Sequence, residues 1–208
     1  MLLTPTTSEL EGINLVLRSI QEAPITNPSN MSPIALQVRD ALRQGARELF
    51  LRGYVFNTDE MELKPDEDKE IKLPIDALSL ELTDTYNVSK YVQRDGKIYD
   101  RKNSTYKLNN ISRLRVKITR WLPWNQRPEH VNQLIITKAA LDMSREKISD
   151  PAAYSNSLTE YRLAERNFLA VESRSNNNLS VFNNPEMHYD DQRWVVYNGD
   201  DYSYYNYN

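Results

Sequence analysis

The sequence predicts an α+β protein, in which a discontinuous four-helix bundle carries an inserted antiparallel β module and an extended C-terminal arm. Three observations lead there. Apolar residues recur at three- and four-residue steps up to residue 53 and again beyond residue 128. Between these stretches the period changes to two. Beyond residue 175 no period persists. Two helices alone bury little, so the economical fold packs all four together and treats the strands as an insertion. The expected units are 1–53, the first half of the helical domain; 54–121, the β domain; 122–175, the second helical half; and 176–208, the arm.

The first helix is expected over 8–22, with Leu10, Ile13, Leu17 and Ile20 on one stripe and Pro24 beyond its end. Its capping box is either Ser8 with Glu11 or Thr6 with Glu9. Ser32-Pro33 opens the second helix as cap and first turn; Ile34, Val38, Ala41, Leu42 and Leu49 face inward, and Gly53 is placed as a left-handed C-terminal cap. From Tyr54, YVFNT reads as a short strand, MELK and EIKLP flank a PDED turn, and LSLELT alternates Leu78, Leu80 and Leu82 with polar residues. Asp95-Gly96 in KYVQRDGKIYDR is a favoured pair for a type I′ hairpin. TYKL and RLRVKITRW complete six or seven strands, the last alternating Leu114, Val116 and Ile118 with Arg113, Arg115 and Lys117. Such alternation implies an antiparallel sheet with one wet face. Pro128-Glu129 starts a third helix to about Lys147, and Asp150-Pro151 a fourth, on which Tyr154, Leu158, Tyr161, Phe168 and Val171 share a face.

Composition narrows the chemistry. A net charge of −3 over 208 residues excludes a generally basic nucleic-acid coat, and 10% aromatics argue against wholesale disorder. With no cysteine there is no disulfide, thiolate metal site or thiol nucleophile. The first residues lack the basic and apolar regions of a secretory signal, and no apolar window reaches membrane-spanning length, so no membrane insertion is expected. His130 and His188 stand apart from other ligand-spaced residues; Asp66, Glu67 and Asp68 lack the glycine and distal glutamate of a calcium loop. No catalytic residue, cofactor or metal is therefore expected. A carboxylate pair cleaving a glycan is the rival reading, because sequence spacing does not reveal two carboxyls facing one cleft. A base-reading DNA protein is a third, and lacks a stacking platform beside its basic strand.

Five stretches carry a resemblance: TPTTSELEGINLVLRSIQEAPI at 4–25, RGYVFNTDE at 52–60, LPIDALSL at 73–80, RDGKIYDRKNSTY at 94–106 and LPWNQRPEHVNQLIITKAA at 122–140. In this order the chain resembles the tail tubular protein A family, the head-to-tail adaptors or gatekeepers of short-tailed bacteriophages of the autographivirus type. RDGKIYDR followed by Asn103, Thr105 and Tyr106 is the most distinctive stretch. The resemblance implies a virion tail structural protein that assembles in the bacterial host cytoplasm as a closed ring, a dodecamer. That ring would join the portal to the nozzle formed by tail tubular protein B, with tail fibres near the lower junction. It would form part of the channel through which DNA passes without sequence-specific binding.

Within that expectation two groups are candidate contact sites. Arg113, Arg115 and Lys117, on one face of one strand, are candidates for the channel or a subunit contact. Tyr189, Trp194, Tyr197, Tyr202, Tyr204, Tyr205 and Tyr207 lie in a segment with too few aliphatic residues to form its own core, and are candidate partner-binding residues.

Overall fold

The computed structural model describes residues 6–83, 90–109, 111–147 and 150–177. The elements run α1 (Glu9–Ser19), α2 (Pro33–Phe50), β1 (Thr58–Leu63), β2 (Ala77–Leu82), β3 (Tyr91–Arg94), β4 (Lys97–Asp100), β5 (Leu114–Arg120), α3 (Glu129–Lys147) and α4 (Pro151–Asn177). Helices precede and follow strands, as the change of period predicts. The capping ambiguity resolves to Ser8: its hydroxyl accepts from Glu11 N–H while the Glu11 carboxylate accepts from Ser8 N–H.

α3 is the hub of the bundle. Val131, Ile135 and Met143 are buried in one cluster with Ile13, Val16 and Leu17 of α1, Val38, Leu42 and Phe50 of α2 and Phe168 of α4. The core thus joins chain segments from both sides of the β module. Leu10 and Tyr154, expected inward, are half-buried and exposed, because each lies near a helix end. Gly53 does take a left-handed φ of +68°, but three residues past the end of α2, where Thr119 Oγ1 lies 3.1 Å from the position a Cβ would occupy.

The β module differs from its expected strand set. YVFNT is a 3-10 turn over Val55–Asn57 leading into β1, because the Asn57 side chain accepts from Tyr54 N–H and tightens the turn. EIKLP makes a single bridge, Lys72 to Lys97, and TYKL a single bridge, Asp100 to Thr105. Among the described residues five strands form two sheets: β1–β5–β2, antiparallel with β5 central, and the β3–β4 hairpin. The hairpin turns through Asp95 and Gly96 with φ of +49° and +68°, the geometry a type I′ turn requires. Leu114, Val116 and Ile118 are buried with Ile71, Tyr91, Ile98 and Leu108 in a second core. The β5 alternation therefore reads the faces correctly.

Gly12 marks a close approach between α1 and the chain entering α3. A Cβ there would meet Trp124 ring atoms at 2.9 Å and Ile136 Cδ1 at 3.3 Å. Trp124 is not free to retreat, since its Nε1 donates to Thr7 O at 2.6 Å and Thr7 is tied through N–H and Oγ1 to the Glu129 carboxylate. Gly12→Ala is thus expected to cost about 1–3 kcal/mol by overpacking, despite alanine's better helix propensity. Urea denaturation of the variant, beside Gly45→Ala where the nearest atom lies at 3.8 Å, measures the difference.

Candidate functional site

The best-built polar constellation joins the β module to the bundle. The chain crosses between them twice, at 51–57 and 120–128. Asn57 is 2% exposed and ties both crossings: its amide nitrogen donates to Phe50 O at 3.0 Å and to Arg120 O at 3.1 Å. Arg120 in turn forks onto Asp76, with Nη1 2.9 Å from both carboxylate oxygens, and its Nε reaches Asp59 at 2.5 Å. Charge-assisted bonds of this kind hold β1, the end of β5 and the start of β2 in register.

Beside Asn57 lies Arg127, 5% exposed. Its guanidinium sits 5.1 Å from the Phe50 ring, 5.2 Å from Trp121 and 5.1 Å from Trp124, while Nε donates to Leu122 O at 2.9 Å. Burial pulls its pKa down to about 10, with the charge of Glu9 working the other way, so it remains a cation at neutral pH. The cage draws one ring from the end of α2 and two from the β5–α3 connection. On the far side of the junction Glu172, 5% exposed, accepts from Val55 N–H at 3.2 Å, with His130 Nε2 at 3.8 Å and the His130 ring against Phe168. His130 thus has a packing role. Trp121 and Trp124, which flank the strand break at Pro123, are both half-buried here.

Arg113, Arg115 and Lys117 project from the sheet among acidic neighbours. Arg113 Nη1 and Arg115 Nε reach the Glu62 carboxylate at 3.3 and 3.0 Å, and these contacts, the Arg115 hydrogen bond first, hold Glu62 below its usual range. Lys117 is paired across the sheet with Glu60 on β1 and Glu81 on β2. The strand is basic; the face is charge-balanced. Tyr189, Trp194, Tyr197, Tyr202, Tyr204, Tyr205, Tyr207 and His188 lie outside the described residues.

The distinctive RDGKIYDRKNSTY stretch is organised by Asp100, 3% exposed, which accepts from Lys102 N–H, Asn103 N–H and Asn103 Nδ2 at 2.9–3.0 Å. Burial acts to raise its pKa, but the Asn103 and Lys102 hydrogen bonds and the Lys90 charge outweigh it and hold the carboxyl low. A carboxylate lowered in the folded state stabilises the protein above its unfolded value of about 3.9, and that contribution is lost as pH falls through the lowered folded value. Amide protection factors across 90–105, taken relative to the intrinsic exchange rate at each pH, are expected to fall on acidification below pH ~4. In Asp100→Asn protection should be low already at neutral pH, with the acid step gone.

The described residues include two open clefts that bear on the hydrolase reading. One, of about 400 Å³, is lined by Lys72, Leu73, Pro74, Ile75, Asp95 and Lys97 among others; the other, of about 170 Å³, includes Glu9, Arg39 and Arg43. Each presents one carboxylate, where a glycosidase needs two. Among the described residues no group of three metal-ligating side chains converges, and no helix is long and apolar enough to cross a membrane. Asp66, in the acidic turn, spends its carboxylate on Asp68 N–H, Glu70 N–H and Lys72.

Sequence reasoning overlooked Asn57, Arg127 and Glu172. The last left a signal, since Glu172 falls on the inward stripe of α4 one turn beyond Phe168. The other two lie in irregular connections, where periodicity says nothing.

Comparison with known proteins finds sequences similar to this chain. The family model for tail tubular proteins matches residues 10–178, both bundle halves and the β module together. Tail tubular protein A of Klebsiella phage KP34 is 29% identical over 148 residues, covering 71% of this chain and 77% of that protein. A match running from α1 through the inserted sheets to the end of α4 covers most of the chain, and the chain therefore belongs to the tail tubular protein family, structural components of bacteriophage tails.

Proposed function

We propose that the protein acts as a head-to-tail adaptor, closing into a ring, a dodecamer, between the portal and the nozzle formed by tail tubular protein B. Tail fibres dock near the lower junction, DNA passes through the shared channel without being read, and assembly takes place in the host cytoplasm. The observation that carries this reading is the doubly pinned junction. Ring closure demands a fixed angle between the surfaces a subunit shows to its two neighbours. A bundle and a sheet module locked by Asn57, Arg120 and Arg127 supply such an angle.

In this reading the protein breaks no bond, and the Arg113, Arg115 and Lys117 face serves subunit contact in preference to gripping phosphate, because Glu62 already pairs with both arginines and Glu60 and Glu81 stand opposite Lys117 in the sheet. The tyrosines of the arm meet the adjacent subunit or the portal. Negative-stain images of the purified protein, alone and mixed with portal, are expected to show closed rings. Particles that stay monomeric under both conditions would overturn the adaptor reading. Turnover on purified cell-wall or capsular glycan, abolished by one Asp or Glu substitution, would establish the hydrolase instead.

A further inference from the structure

α4 buries one side and leaves another without a partner. Ser157, Phe168 and Glu172 point inward. On the opposite side Arg162, Leu163, Arg166, Leu169, Ala170 and Arg174 are all exposed, Leu163 at 58% and Leu169 at 51%. Among the described residues none of the three arginines forms an ion pair. The helix's carboxylates lie elsewhere: Glu172 is buried, Glu165 accepts from the Tyr161 hydroxyl, and Glu160 flanks the face. A stripe of arginines interleaved with leucines suits an occupant that is both acidic and aromatic or apolar.

The chain itself contains such an occupant. Residues 178–208 carry Glu186, Asp190, Asp191, Asp200 and Asp201 against Arg193 alone, a net −4 in a chain of net −3. The acidic pairs sit beside aromatics, as Tyr189-Asp190-Asp191 and Asp200-Asp201-Tyr202. We propose that residues 178–208 dock on the outward face of α4 of their own chain, aspartates on Arg162, Arg166 and Arg174 and tyrosine rings on Leu163 and Leu169.

Reach and tethering favour the same chain over another. The stripe from Arg162 to Arg174 spans about 18 Å of helix, while 31 residues beyond Asn177 extend to roughly 100 Å. A segment tethered at the end of the helix it binds meets that face at an effective concentration in the millimolar range, so weak individual contacts suffice. The docked arm would occupy, before assembly, the aromatic groups that a partner later uses. That sequence of events rests on the adaptor reading; the docking itself does not depend on the protein forming a ring.

The absence of cysteine allows a clean test in the full chain. Spin labels at Asn167→Cys on the outward face and Ser203→Cys in the arm are expected to give one short-distance population at low ionic strength. It should disappear near 1 M salt, where the screening length is about 3 Å. Combined Arg162→Glu, Arg166→Glu and Arg174→Glu should abolish it, as should Asp190→Asn, Asp191→Asn, Asp200→Asn and Asp201→Asn, which leave the described core untouched. A broad distance distribution in the parent, or a short population that survives the aspartate changes, overturns the docking. A population that vanishes on dilution with unlabelled protein assigns the arm to a neighbouring copy and overturns the same-chain site.

Discussion

Arg127→Ala is expected to be among the most damaging single substitutions at the junction, lowering stability by about 2–4 kcal/mol. Truncation removes a buried cation within 5.1–5.2 Å of three rings, together with the bond to Leu122 O, and leaves a cavity between modules. Three variants separate the causes. Arg127→Lys keeps charge but loses the planar fork that stacks on the rings, so it should recover only part of the loss. Arg127→Met keeps most of the volume with neither charge nor donor. Equal urea midpoints for Met and the parent would show that packing alone matters at this site. A Met midpoint close to that of Ala would assign the stability to the cation and its hydrogen bond.

Cutting the bundle into its two chain segments should have a larger effect still. Residues 1–53 and 122–177, expressed separately, are each expected to be largely unfolded by circular dichroism and to gain helicity on mixing. Helices of this length are marginal in isolation and take their stability from packing. Here the packing is shared: Ile13, Leu17, Val38 and Phe50 come from the first segment, Val131, Ile135 and Phe168 from the second. Independent cooperative unfolding of either fragment would mean that the boundary at 53 separates self-sufficient domains, not halves of one.

Much of this fold was legible in the sequence, for identifiable reasons. Ser8, Ser32-Pro33 and the apolar stripes of α1 and α2 fix local geometry by short-range bonds and burial, so caps and periods suffice to find them. Asp95-Gly96 reports its own turn because few residues tolerate two consecutive positive φ angles. The failures share a cause. EIKLP looks like a strand but finds its partners across the hairpin, with Leu73 N–H on Gly96 O and Ile98 N–H on Ile71 O, and tertiary placement limits it to one bridge. YVFNT has strand composition, yet one asparagine side chain turns it into a 3-10 turn. α4 runs to Asn177, beyond the expected boundary at 175. The junction was least visible, because it is assembled from residues of several segments far apart in the chain, most of them in irregular connections.

The pair of hydrogen bonds donated by Asn57 has a consequence for tolerance to error. One amide group spans Phe50 O and Arg120 O, so both chain crossings of the inserted module hinge on the same atom. Two independent fasteners would fail one at a time; with a shared one, loss of a single side chain releases both crossings together. In the proposed ring a small misalignment per subunit is compounded at every interface, and a closed circle has no free end at which to release it. An Asn57 variant that remains folded as a monomer should therefore err at the level of the circle, giving open arcs or rings of mixed copy number.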